Sequence, residues 1–126
     1  MKKIALFSGQ GSQYVGMLKD YYDINKDARE LIDKADQLLG YSLSDICFNG
    51  PAEKLKETRY TQPAIFLHSA LVNNLTKNKV KKDAVAGHSV GEYAALYSAG
   101  VISFDEAVNL VSLRGELMFS AGEDEP

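Results

Sequence analysis

Two spacings of apolar residues alternate along this chain. Ile4-Ala5-Leu6-Phe7 is an unbroken apolar run stopped by Ser8-Gly9, and Ala84-Val85-Ala86 is a second, stopped by Gly87. Short runs without polar alternation suit strands covered on both faces, so both read as buried parallel strands. Elsewhere the apolar positions recur at threes and fours. From Asp27, residues Ala28, Leu31, Ile32, Ala35, Leu38 and Leu39 predict an amphipathic helix closed by Gly40. Ala64, Leu67, His68, Leu71, Val72 and Leu75 predict a second, and Phe104, Ala107, Val108, Val111 and Met118 a third.

Shorter signals fill the intervals. The loop after the first strand opens a helical stretch through Met17-Leu18, Ser42 to Phe48 reads as a short helix, and Gly50-Pro51 starts another with proline at the first helical position. Thr58 to Pro63 breaks the pattern before the Ala64 helix. Lys77 to Lys82 is a basic connector into the second strand. Tyr93 to Tyr97 continue as a helix ending at Gly100, and Ser103 with Glu106 has the form of a capping box. The acidic tail from Gly122 to Pro126 is expected to fray.

Composition narrows the classes. The 126 residues make one small domain, 45% apolar and 25% charged. A net charge of -3 provides no footprint for nucleic acid or an anionic membrane, and no apolar run approaches a membrane span. Cys47 is the lone cysteine, so no internal disulfide forms; with no signal-like leader, a reducing cytoplasm is the expected compartment. Between Ile46 and Phe48 it reads as a small buried hydrophobe. His68 and His88 have no zinc spacing with it, and His68, within an apolar stripe, reads as a core or rim residue.

The candidate chemistry centres on Gly87-His88-Ser89-Val90-Gly91, which joins a strand to a helix. A serine on such a bent turn needs small neighbours, and the next residue's N–H points toward a developing oxyanion. Ser89 is therefore the candidate nucleophile. The loop Gly9-Gln10-Gly11-Ser12-Gln13 can bring backbone N–H groups to a ligand or serve as a plain turn; it lacks the third glycine and the Gly-Lys-Ser/Thr ending of nucleotide loops. Arg114, taken alone, reads as a surface cation or a partner for Glu106 or Glu116.

Taken together, Phe7 to Gln13, Tyr60-Thr61-Gln62-Pro63-Ala64, Gly87 to Tyr93 and Arg114-Gly115 resemble the malonyl-CoA:acyl carrier protein transacylases of bacterial fatty-acid synthesis and the related acyltransferase domains of polyketide synthases. The resemblance covers the whole chain in the family's order. It implies an α/β fold, with residues 1–126 forming the N-terminal part of an α/β-hydrolase-like large subdomain of parallel strands and helices. It also implies that Ser89 takes malonyl from malonyl-CoA, the substrate, and passes it to the phosphopantetheine thiol of an acyl carrier protein, with no bound cofactor and no metal. Gln10 and Val90 match the oxyanion-hole positions and Arg114 the arginine that binds the malonyl carboxylate. His88 matches the residue before the nucleophile, and Gln62 a pocket glutamine.

One departure stands out. The family's general base is a histidine far beyond the serine, and no residue here matches it; the ferredoxin-like subdomain and later strands are also absent. The chain is thus expected to be an incomplete catalyst whose uncovered edges favour self-association. The alternatives are a discrete polyketide acyltransferase and a non-catalytic fragment that binds a carrier protein.

Overall fold

A computed structural model describes residues 12–76 and 90–122 with their side chains, and the backbone of 4–7, 84–87 and 123–124. The two apolar runs are strands, β1 (Ile4–Phe7) and β2 (Ala84–Gly87), paired parallel with Ile4 opposite Ala84 and Phe7 opposite Gly87. Seven helices are assigned among the described residues: α1 (Lys19–Ile24), α2 (Lys26–Leu39), α3 (Leu43–Asn49), α4 (Ala52–Leu55), α5 (Thr58–Thr76), α6 (Gly91–Ser98) and α7 (Phe104–Asp124).

α5 is the centre of the core. Its Ala64, Ile65, Phe66, Leu67, Ala70 and Leu71 are all buried, so it is enclosed on nearly every side, whereas α2 buries only the stripe of Ala28, Ile32 and Ala35. α7 contributes Phe104, Ala107, Val108 and Val111. Phe66, Tyr97 and Phe104 meet with ring centroids 5.9–6.0 Å apart, tying α5, α6 and α7 together.

Helix ends follow local chemistry. The Asn25 side chain accepts from Ala28 N at 2.9 Å to cap α2, and Gly40 leaves that helix at φ 81°. Ser103 and Glu106 form the reciprocal capping box, 3.0 and 3.1 Å, at the start of α7. α6 ends in a Schellman arrangement: Val101 N bonds the Leu96 carbonyl, Gly100 N bonds that of Tyr97, and Gly100 has φ 79°.

Four expectations are corrected. Met17-Leu18 lie in a turn, with Gly16 at φ 99° and Leu18 at φ 72°. Gly16 N donates to the Cys47 carbonyl at 2.7 Å, and both Met17 and Leu18 are buried, so docking on α3 overrides local helix preference. Pro51 stands just before α4 rather than at its first helical position. Thr58 to Pro63 are the opening turns of α5, not a break. Pro63 removes only the bond that Arg59's carbonyl would receive, and burial of the surrounding face outweighs that loss. Finally, Gly122 to Asp124 continue α7, while Glu125 and Pro126 lie outside the described residues: one glycine costs a helix only about 1 kcal/mol, too little to end it.

Candidate functional site

Gln62 and Arg114 are 52 positions apart in sequence, yet Arg114 Nη1 donates to Gln62 Oε1 at 2.7 Å. The sequence around Gln62 explains its placement. Thr61 Oγ1 donates to the carbonyls of Leu55 and Glu57, pinning the start of α5 to the end of α4, and Ala64 packs into the core. Gln62 is fully buried between them. A buried amide oxygen needs a donor, and Arg114, half-buried on α7, supplies one. Arg114's bond to Gln62, across two helices, replaces the expectation that it pairs with Glu106 or Glu116.

Gly115 makes this approach feasible. A Cβ there would stand 3.1 Å from both Arg59 Cα and the Thr58 carbonyl oxygen, and 3.4 Å from the Arg59 oxygen. The bare glycine lets the backbone of α7 lie directly on the first turn of α5, which brings Arg114 within reach of Gln62. Sequence reading singled out both residues without foreseeing their contact. It passed over Tyr93, whose ring centroid lies 5.9 Å from Arg114 Cζ. The clue was available: Tyr93 stands four positions after Ser89, on the first turn of α6.

Val90 is fully buried and precedes α6 with helical backbone angles, φ -61° and ψ -25°. Gln10, His88 and Ser89, like the Lys77–Lys82 connector, lie outside the described residues. His68 is half-buried, its ring edge-on to Tyr21 at 6.3 Å, and burial lowers its pKa from the ordinary 6.5. It lines a cleft of about 60 Å³ with Ser12, Tyr14, Met17, Ile65 and Ser69, room for water but not for an acyl thioester. A larger groove of about 410 Å³ lies between α2 and α5, lined by Asp27, Leu31, Lys34, Leu71 and Leu75. Its nearest lining residue on α5, Leu71, is about 14 Å along the helix from Gln62, so this groove is separate from the Arg114 pair.

Cys47 is fully buried, and burial followed by the nearby Asp36 charge pushes its thiol up to about 12. It is inert packing, as its apolar neighbours suggested. Among the described residues no group of three or more His, Cys, Asp or Glu is placed to share a metal ion, and no helix is long and apolar enough to cross a membrane.

The sequence matches the family described as "Acyl transferase domain" over residues 5–124. The chain belongs to that family. It is 46% identical over 123 residues to the malonyl CoA-acyl carrier protein transacylase of Bacillus subtilis, with 96% of this chain and 39% of the relative covered. Among solved structures, the malonyl-CoA:ACP transacylase of Synechocystis sp. matches with TM-score 0.91 at 41% identity, covering 96% of this chain and 41% of that one. A malonyl-transacylase in complex with its type II polyketide acyl-carrier protein matches with TM-score 0.88 at 40% identity, covering 96% and 40%. This chain therefore has the acyltransferase fold, and spans about 40% of the length of the relatives it matches.

Proposed function

We propose that the complete protein carrying this acyltransferase chain moves a malonyl group from coenzyme A to the phosphopantetheine thiol of an acyl carrier protein. The observation that carries this reading is the Arg114–Gln62 pair. Within an acyltransferase, the planar guanidinium of a half-buried arginine matches a substrate carboxylate bidentately, and the Gln62 amide holds its Nη1 without itself adding a negative charge. Malonyl has that carboxylate; acetyl does not.

In the proposed reaction, Ser89 Oγ attacks the thioester carbonyl and gives its proton to a base, and the tetrahedral intermediate expels the coenzyme A thiolate. The backbone N–H groups of Gln10 and Val90 receive the oxyanion. The carrier thiol, as its thiolate, then attacks the malonyl ester, and the departing Ser89 oxygen recovers a proton. The family resemblance assigns the base to a histidine beyond these residues and leaves His88 beside the nucleophile. It likewise supports an α/β-hydrolase-like large subdomain around β1 and β2, accompanied by a ferredoxin-like subdomain. We assign the reaction to the cytoplasm, with no bound cofactor.

Intact-mass measurement of the complete protein with malonyl-CoA and acetyl-CoA tests this. A malonyl adduct on Ser89, absent in Ser89→Ala, is expected. Arg114→Ala should lower malonyl loading by about 10- to 100-fold, the worth of a lost charge-assisted hydrogen bond, and acetyl loading far less. Equal losses for both acyl groups would remove the role given to Arg114. The similarity to the polyketide transacylase favours a second reading, transfer to a polyketide carrier protein, and comparing transfer rates to the two carriers separates them.

A further inference from the structure

Three helices converge on one guanidinium. α7 supplies Arg114, α5 supplies the Gln62 oxygen 2.7 Å from Nη1, and α6 supplies the Tyr93 ring with its centroid 5.9 Å from Cζ. Arginine is suited to such treatment because its edges donate hydrogen bonds while its flat face packs on an aromatic ring. A free arginine side chain also has high rotamer entropy, which a ligand must overcome unless the protein has already restricted it.

We propose that Tyr93 is a positioning residue for Arg114. Its ring lies beneath the guanidinium while Gln62 holds Nη1, and preference for acyl groups that end in a carboxylate depends on an aromatic ring at position 93. This rests on the reading of Arg114 as the carboxylate-binding residue. Tyr93 lies four positions after Ser89 in sequence, on the first turn of α6, so the ring ties the guanidinium to the helix that follows the candidate nucleophile in the chain. The contact is made by the ring, so phenylalanine should substitute and leucine should not.

The test is nuclear magnetic resonance of the Arg114 Nε–Hε group in the 126-residue chain, titrated with malonate and, separately, acetamide, which has no carboxylate. In the wild type, the ring current of Tyr93 should displace this resonance from that of an unstructured arginine; Tyr93→Leu should return it toward that position, and Tyr93→Phe should keep the displacement. Malonate affinity should fall about 3- to 10-fold in Tyr93→Leu, the size of a partly desolvated cation–π contact, and return in Tyr93→Phe. Acetamide binding should be weak in all three. An undisplaced resonance in the wild type overturns the proposal without requiring a variant to fold. Equal malonate affinity in the wild type and a folded Tyr93→Leu also overturns it. A displaced resonance in a wild-type chain that ignores malonate overturns the carboxylate reading of Arg114 and the proposed consequence, while leaving the contact itself standing.

Discussion

Burial penalises a titratable side chain only in its charged form, and His68 is subject to that penalty. Its surroundings are Tyr21 and a cleft lined by Ser12, Tyr14, Met17, Ile65 and Ser69, none of them charged. The folded pKa is lowered, so between that value and the unfolded 6.5 the unfolded chain binds more protons and stability rises with pH. The His68 contribution is therefore present above the unfolded value and lost as pH falls through the lowered one. Urea unfolding at about pH 7 and about pH 5 should show a drop in midpoint that is smaller in His68→Gln. An equal drop in both would place the acid sensitivity elsewhere. At this scale the sequence was informative about residue type but not about pairing. Arg114 and Gln62 each stand in a motif, whereas the 2.7 Å contact between them depends on how α5 and α7 pack.

Between elements, two glycines of α7 should respond oppositely to the same substitution. Replacing an interior helical glycine with alanine gains up to about 1 kcal/mol of helix propensity. At Gly122 the added methyl has nothing within 4 Å, so Gly122→Ala should raise stability by a few tenths of a kcal/mol to about 1 kcal/mol. At Gly115 it meets the backbone of α5 at 3.1 Å, and overpacking of this kind costs about 1–3 kcal/mol. Backbone in a buried helix yields less than a side chain would, so the cost exceeds the gain. Gly115→Ala should lower the thermal midpoint and weaken the Arg114–Gln62 contact, both measurable on one sample by calorimetry and resonance assignment. A stabilised Gly115→Ala would show that the two helices separate freely. The caps of α2, α6 and α7 were legible because each is closed by residues a few positions apart. The Met17-Leu18 turn and the opening of α5 were not, because Cys47's carbonyl and the buried surroundings of Pro63 decide them from a distance.

Over the whole molecule, α7 carries a second apolar stripe opposite its buried one. Leu110, Leu113 and Leu117, at spacings of three and four, are 43%, 56% and 62% exposed. The chain spans about 40% of the length of the relatives it matches, and a stripe this apolar is expected to drive self-association of the chain studied alone. Sedimentation velocity should show concentration-dependent association in the wild type and its reduction in Leu113→Glu/Leu117→Glu, with thermal stability changed by no more than about 0.5 kcal/mol. Unchanged association in the double variant would move the contact to another face, such as the sheet edge.

By itself the sequence determined the order and type of most elements, since strand runs, helical stripes and caps arise from neighbours along the chain. It also determined the family, through four motifs in a consistent order. Tertiary structure alone decided which motif residues meet. α5 is buried on nearly all sides and α7 lies against its backbone at Gly115, so packing sets the distance from Arg114 to Gln62 and to the Tyr93 ring. No periodicity encodes that convergence, because its three residues lie on different helices and are brought together only when the core closes.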